Sequence, residues 1–436
     1  MLTPETILSV IPSQTERIFI AYSGGIDSHV LLHLSASIDE IKSKITAVYV
    51  HHGLQQEADA WEKHCELVCL NLDVTYKCLN VNAQKSIGQS PEEAARDARY
   101  HVLKSLLGKN DVLLLAQHRE DQMETVLLQL FRGAGVQGLS GMPSAIDFGL
   151  GTMCRPLLDV SKQEIENYAE CNSLDWVEDP SNNSNEFDRN FLRNQILPQL
   201  RQRWPALDKT IARSARHCAS NHSVIQDLAK ALLINLFDET EGTLNISQLL
   251  ELDVNKQHLV LRQWFASHKL RMPSEKNLNR ILTEVVTAKG CGNPEVQGTG
   301  YCIRRYRNDL YCLTSCRDDS NLQEKNWPMG QKQLKLDDGK TLMITEGTQG
   351  ISESIWLQAQ VTVKYRKGKE KIRLPGRKGH HTLKNLYQEK AIPPWLRHNI
   401  PLIYLNDKLV AIADLWISAD FYSTGNETCY QVVCSE

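Results

Sequence analysis

The first third of the chain alternates continuous apolar runs with stretches whose apolar residues recur at helical spacing. Ile18-Phe19-Ile20-Ala21-Tyr22, Ile45-Thr46-Ala47-Val48-Tyr49-Val50, Val74-Thr75-Tyr76-Lys77-Cys78-Leu79 and Val112-Leu113-Leu114-Leu115-Ala116 predict strands. The last of these is apolar throughout, as a strand covered on both faces of a parallel sheet must be. Helices are predicted around residues 56–72 and 91–107. Ser90-Pro91-Glu92-Glu93 opens the second with a capping box and a proline at the first helical position. Repeated strand–helix units over residues 17–160 predict a doubly wound α/β domain with a parallel sheet. Ligands of such a sheet bind at the carboxyl ends of its strands. Ser161-x-x-Glu164 opens a further helical stretch over 161–205, which Trp204-Pro205 closes. Residues 206–320 follow mainly helical spacing, with a β-like tail at Tyr301-Cys302-Ile303-Arg304-Arg305-Tyr306. Asp318 to Gln331 is polar and aperiodic and predicts a linker. The last hundred or so residues alternate over short runs rich in turn residues, which predicts a small α+β domain. The expected domains are 1–205, 206–325 and 326–436.

Composition narrows the class without changing this picture. At about 150 residues per domain, 436 residues make roughly two to four domains. The apolar share of 42% and charged share of 23% are those of ordinary globular protein. A formal net charge of −3 means that any nucleic-acid affinity comes from local patches. The 12 cysteines include no Cys-x-x-Cys pair. Cys65/Cys69 and Cys312/Cys316 have three residues between them, which fits one helix face or irregular packing better than a zinc clip. They read as buried thiols of a reducing compartment. Thr3-Pro4-Glu5 looks like a helix start rather than a secretory leader, and no run reaches the ~20 apolar residues of a membrane span. A cytoplasmic location is expected, with no membrane association.

Candidate chemistry begins at Ser23-Gly24-Gly25-Ile26-Asp27-Ser28, between the first predicted strand and the helical His29-Val30-Leu31-Leu32-His33-Leu34. Glycines let backbone N–H groups approach phosphate closely, and a helix N-terminus favours anionic oxygens. The loop lacks the Gly-Lys-Ser/Thr of a Walker A motif, and so the lysine that grips a γ-phosphate. It resembles the pyrophosphatase loop of N-type ATP-dependent ligases, which hold the pyrophosphate released when ATP adenylates a carbonyl oxygen.

Arg96 and Arg99 lie one helical turn apart, so their guanidiniums share a face. They form either a fork for phosphate or, through Glu92–Arg96, an exposed ion pair. Gln117-His118-Arg119-Glu120-Asp121-Gln122-Met123-Glu124 brings carboxylates to the start of a helix just past a buried strand. Such acids favour the helix dipole, suit Mg²⁺ shared with phosphates, or take a proton from an attacking amine. Spacing leaves these open. Gly133-Ala134-Gly135-Val136-Gln137-Gly138 has the flexibility of a loop that closes over substrate.

Taken together, Ser23–Ser28, Val50-His51-His52-Gly53-Leu54, Glu92–Arg99, His118–Glu124, Arg132-Gly133-x-Gly135, Arg155-Pro156-Leu157-Leu158, Glu178-Asp179-x-Ser181-Asn182 and Arg189-Asn190-x-x-Arg193 resemble the tRNA(Ile)-lysidine synthetase family. Leu374-Pro375-Gly376-Arg377 and Pro393-Pro394-Trp395-Leu396-Arg397 are similar to the C-terminal domain of its longer members, while the middle region matches weakly. The chain departs from the family's frequent His-His-x-Asp-Asp-Gln at Gln117 and Glu120. Gln117 cannot shuttle a proton, and Glu120 keeps the carboxylate on a longer arm.

The resemblance implies a chemistry with ATP, Mg²⁺ and L-lysine. ATP adenylates the C2 oxygen of the wobble cytidine in a CAU-anticodon isoleucine tRNA, releasing pyrophosphate. The lysine ε-amine then displaces AMP, and the codon read changes from AUG to AUA. It implies Ser23, Gly24, Gly25, Ile26, Asp27, Ser28, His52 and Ala116 for the nucleotide. Asp27, Arg96, Asp121 and Glu124 are implied for catalysis, and Asp121 and Glu120 for the metal. Arg189, Arg193, Arg373, Arg377 and Lys378 are implied for RNA. The run from Lys364 to Lys378 is the densest basic stretch, which on a near-neutral chain suits a polyphosphate partner or a solvated surface. Tyr365, Tyr387 and Trp395 could stack on bases, with core packing the alternative for the tryptophan. A monomer and a homodimer are both compatible with the sequence. A tRNA thiolation enzyme would use Cys-x-x-Cys pairs, which are absent. A small-molecule amide ligase would leave the basic run unexplained. A non-catalytic RNA-binding protein on this fold would consume neither lysine nor ATP.

Overall fold

The computed structural model describes residues 2–51, 58–81, 91–178, 184–288, 292, 294–314 and 322–435. The chain divides into two compact units, residues 1–228 and 229–436.

The first unit is built on a sheet of six strands. In chain order its main elements are β1 (Ile18–Ala21), α1 (Ile26–Ala36), β2 (Ile45–His51), α2 (Ala58–Asn71), β3 (Thr75–Asn80), α3 (Pro91–Leu106), β4 (Val112–Leu114), α4 (Arg119–Phe131), β5 (Ala145–Phe148), β6 (Gly151–Cys154), α5 (Lys162–Cys171), α6 (Leu197–Arg203) and α7 (Leu207–Leu236). The sheet order is β3-β2-β1-β4-β6-β5, parallel except for β5 against β6. Alternate strand residues feed opposite faces. Ile18, Ile20, Ala47 and Leu114 join residues of α1, α2 and α5 in one core, while Phe19, Val48 and Leu113 pack with Leu103 of α3 and Leu107 just past it in the other. Burial on both faces explains why these strands read as unbroken apolar runs.

The β5–β6 hairpin was not expected from sequence. Both strands are short and β5 is largely exposed, and a Cβ at Gly151 would stand 2.4 Å from the Asp111 carbonyl, so the residue that lets the hairpin join the sheet also breaks the apolar pattern. The Ser161–Glu164 capping box is present, with Glu164 N donating to Ser161 Oγ at 3.3 Å and Ser161 N to Glu164 Oε2 at 3.1 Å.

In the second unit the region after α7 holds more strand than its helical spacing predicted. The β-like tail Tyr301–Tyr306 is one strand of a five-stranded sheet with Phe237–Asp238, Thr243–Asn245, Glu295–Gly298 and Asp309–Leu313. Helix Val254–Ser267 packs Trp264 and Phe265 into its core. Part of the expected linker is also strand: Lys325–Trp327 pairs with Val361–Lys364, and Trp327 is buried. The remainder of the chain forms small antiparallel sheets and the helix Leu383–Glu389, an α+β arrangement as expected.

Candidate active site

The carboxyl ends of β1 and β4 carry the site. After β1 the chain turns through Ser23-Gly24-Gly25 into α1, of which Gly25 is the N-cap. Gly24 has φ +81°, a conformation glycine adopts without strain, and a Cβ there would stand 3.0 Å from Cys65 Sγ of α2. Its carbonyl accepts from Val177 N at 3.0 Å. Ser28 closes the loop on itself: its Oγ accepts from Ser23 N at 3.2 Å and donates to the Gly25 carbonyl at 2.9 Å, with Ser23 Oγ also at 3.2 Å. The first-turn amides of α1 have no intrahelical acceptor and face the loop, the arrangement that holds phosphate oxygens.

Asp27 stands in that first turn. Its Oδ1 is buried without a hydrogen bond, and His118 Nε2 lies 3.8 Å away. Burial, opposed by His118 and helped by Asp121, lifts the Asp27 carboxyl above its ordinary range.

β4 delivers the second half. His118 caps α4 and is buried. Its Nδ1 lies 3.1 Å from Glu120 Oε2, its Nε2 3.5 Å from Asp121 Oδ2, and its backbone N–H donates to Asp121 Oδ2 at 3.0 Å. Burial pulls its pKa down, but Glu120, Asp121 and Asp27 outweigh it, and the imidazole stands above the ordinary histidine value. One turn on, Glu124 is 1% exposed and held by a fork: Arg193 Nε donates to Oε1 at 2.6 Å and Nη2 to Oε2 at 2.8 Å. The same Nη2 reaches Asp121 Oδ1 at 3.1 Å. Arg189 Nε lies 3.6 Å from Glu124, and its Nη2 donates to Thr125 Oγ1 at 2.9 Å.

The structure thus joins Ser23, Gly24, Gly25, Ile26, Asp27 and Ser28 to Asp121 through His118. Ala116, just past β4, packs against the sheet core. His52 lies outside the described residues. Glu120, expected as a metal ligand, is already engaged: His118 and the Lys162 amide at 2.9 Å hold its Oε2, and Arg201 stands 3.9 Å from Oε1. Burial would raise its pKa, but these contacts keep it below the ordinary range. For a divalent cation Asp27 offers its orphaned Oδ1, whereas the oxygens of Asp121 already accept from the His118 amide and from Arg193, so Asp121 would have to exchange one of these contacts for the metal. Among the described residues, a closer set of ligand atoms belongs to His51, Asp59 and Glu62, all within 4.8 Å beside the end of β2.

Arg189 and Arg193, expected on RNA, face the carboxylates of α4 instead. Arg96 is exposed on α3, its guanidinium 5.2 Å from the Tyr100 ring centroid. It is near enough to Arg155 to add to the fall that burial imposes on the Arg155 pKa. The Glu92 side chain lies outside the described residues. Arg155 is buried at the end of β6, donating to Gln117 Oε1 and to the Pro143 carbonyl, so Gln117 serves as an acceptor that fixes the strand ends. Gln122 ties the glycine-rich segment to α4 through Met142, with bonds of 2.8 and 2.7 Å.

Sequence reasoning assigned His118 no role of its own. The usable signal was its place one residue before a first turn with acids at both Glu120 and Asp121. In the second unit, Arg373 and Arg377 are half-exposed and paired with Asp420 and Glu389, and Lys378 is exposed. Tyr387 is fully buried and offers no face for base stacking, and Trp395 is half-buried in edge contacts with Tyr306 and Tyr311. No described helix is long and apolar enough to cross a membrane.

Three family models match the chain. A PP-loop domain covers residues 4–200, a TilS substrate binding domain 244–311, and a TilS substrate C-terminal domain 361–434. Among curated proteins the chain is 40% identical over 415 residues to the tRNA(Ile)-lysidine synthase of Methylococcus capsulatus, covering 94% of each chain. It is 38% identical over 436 residues to that of Coxiella burnetii, covering 99% of this chain and 96% of the other. With that of Legionella pneumophila strain Paris it shares 35% over 435 residues, 99% and 98% of the two chains.

Proposed function

The chain belongs to the tRNA(Ile)-lysidine synthase family, and from that premise we propose that it is an ATP-dependent ligase joining L-lysine to C2 of the wobble cytidine in a CAU-anticodon isoleucine tRNA. The observation that carries the reading is the meeting of a phosphate loop and a buried His118–Asp121–Glu124 cluster at the carboxyl ends of adjacent strands β1 and β4.

A cytidine C2 oxygen leaves poorly until it becomes a phosphate ester. The loop Ser23–Ser28 would hold the β- and γ-phosphates of ATP while the C2 oxygen attacks the α-phosphorus, and pyrophosphate leaves into the α1 N-terminus. Asp27 and Asp121 would hold Mg²⁺, which neutralises phosphate charge when bound. Arg96 would approach from α3 toward phosphate or base. In the second step the lysine ε-amine attacks C2, the C–O bond to AMP breaks, and the ammonium formed at C2 gives up a proton. A carboxylate of Asp121 or Glu124 would take it. Arg193 stands on both carboxylates, so amine binding would compete with or share that fork. The exchange would move the tRNA's codon from AUG to AUA and its identity from methionine to isoleucine. Residues 206–325 and 326–436 would contact the RNA body, with Arg373, Arg377 and Lys378 on phosphate.

The test is incubation of the whole chain with ATP, Mg²⁺, labelled lysine and a CAU isoleucine tRNA, followed by counting acid-precipitable label. Label on that tRNA alone, with one AMP per lysine, is expected. Methionine tRNA and an isoleucine tRNA with wobble uridine should stay blank. Tight RNA binding with no label would overturn the ligase.

A further inference from the structure

Arg119 is the first residue of α4, between His118 and Glu120, yet its side chain serves a different set of groups. Nη1 donates to Asp208 Oδ2 at 3.3 Å, Nη2 donates to the Asp159 carbonyl, and Glu164 Oε2 lies 3.8 Å away. Both members of the Arg119–Asp208 pair are largely buried, at 13% and 12% side-chain exposure. The Arg119 amide donates to the Val160 carbonyl at 2.9 Å. Asp208 lies in the first turn of α7. Two turns on, Arg216 Nη1 donates to Asp159 Oδ1 at 2.8 Å. Asp159 is therefore gripped by α4 through its carbonyl and by α7 through its carboxylate. Alongside, Leu207 and Ile211 of α7 pack with Met123 and Leu127 of α4. α7 is a single helix of 30 residues.

We propose that Arg119 is a positioning residue. Paired with Asp208, it makes α7 set the place of the first turn of α4, and so of His118 and Asp121, against the phosphate loop. The consequence for catalysis rests on the ligase reading. An acid in a first turn favours its own helix dipole, which alone would explain Asp208 but not its burial against a guanidinium from another helix. A buried pair that loses one partner leaves an uncompensated charge, and the turn it anchors shifts to rehydrate it. Group transfer is sensitive to such shifts, since displacements of about 1 Å can cost about a hundredfold in rate.

The experiment compares the full chain with Asp208→Asn and Arg119→Lys, neither of which touches the reacting groups. It reads kcat and the KM for the CAU tRNA in the lysine-transfer assay, and amide hydrogen exchange in the free protein over residues 118–122 and 18–36. Asp208→Asn should lower kcat about tenfold while the KM for RNA stays within about twofold. Exchange should quicken over 118–122 and stay unchanged over 18–36, and Arg119→Lys should fall between the two. Unchanged exchange over 118–122 would overturn the proposal. So would a loss of kcat matched by equal losses of RNA affinity and thermal stability, the mark of a merely structural pair. If the wild type transfers no lysine, the ligase reading fails, and the exchange comparison still decides the clamp.

Discussion

The imidazole of His118 lies among Asp27, Glu120 and Asp121, and this surrounding sets the sign of its response to pH. Its folded pKa is raised above the ordinary histidine value, so proton binding favours the native state. That stability is fully present below the unfolded-state pKa and is lost as pH rises through the folded one. Asp27 runs along the same direction: its raised carboxyl favours the protonated native form at low pH and costs stability once ionised. Glu120 opposes both, since its lowered pKa adds stability that disappears as pH falls through it. Glu120→Gln removes the leading contact that raises His118, so its imidazole titration, followed by NMR of the ring Cε1–H, should move to lower pH than in the wild type. An unmoved titration would mean that Asp27 and Asp121 alone hold the proton. Glu120 and Asp121 stand beside His118 in the chain, but Asp27 belongs to a separate element, so residue-level reasoning from the sequence does not join it to them. Asp27 is on α1 and Asp121 on α4, and only the adjacency of β1 and β4 brings them together.

At the scale of elements, legibility followed burial. β1, β2 and β4 were readable because both sheet faces are covered, which makes their sequence continuously apolar. β5 and β6 were not: each is only four residues long, β5 is an exposed edge strand, and only Met153 and Cys154 of β6 are buried. The loop into α1 was legible from the whole hexapeptide Ser23–Ser28 between a strand and a helix, and the structure separates what each glycine does. Gly25 has ordinary negative φ as an N-cap, whereas Gly24 sits at φ +81° against Cys65. Gly24→Ala should therefore cost about 1–2 kcal/mol from the left-handed conformation, plus a contact term from the thiol. Adding Cys65→Ala relieves only the contact. Denaturant midpoints should then show partial recovery in the double variant, while ATP affinity, which depends on the loop backbone, should stay low in both. Full recovery of stability would show that the sulfur, not the backbone, makes glycine necessary.

For the whole molecule, the near-neutral net charge and the basic run Lys364–Lys378 suggested a second half that meets RNA, with Trp395 either stacking on bases or packing in a core. The structure gives Trp395 and its neighbours a packing role within the second unit. Trp395 packs edge-on against Tyr311 at 5.2 Å and Tyr306 at 6.3 Å, and Arg304 lies 5.5 Å from its ring centroid. Arg397 is buried, donating to Tyr306 Oη at 3.1 Å and to the Ile392 carbonyl at 2.8 Å. Arg307 reaches back to the Gln388 carbonyl. These contacts run between the sheet that includes Tyr301–Leu313 and the α+β region around Leu383–Ile412. Each aromatic pair adds about 0.5–1.5 kcal/mol beyond its buried area, so the tryptophan is one tie between the two cores beside the Arg397 and Arg307 hydrogen bonds. Neither core depends on it internally, since Trp264 and Phe265 fill one and Leu386 and Tyr387 the other. Trp395→Ala should then uncouple them. Calorimetry of the wild type should show these two cores unfolding together, and that of the variant should resolve an earlier transition for the C-terminal region. RNA binding should weaken with little change in its salt dependence, because no phosphate contact has been removed. A salt slope that falls by about one unit, with a single unchanged unfolding transition, would instead place Trp395 on the RNA surface.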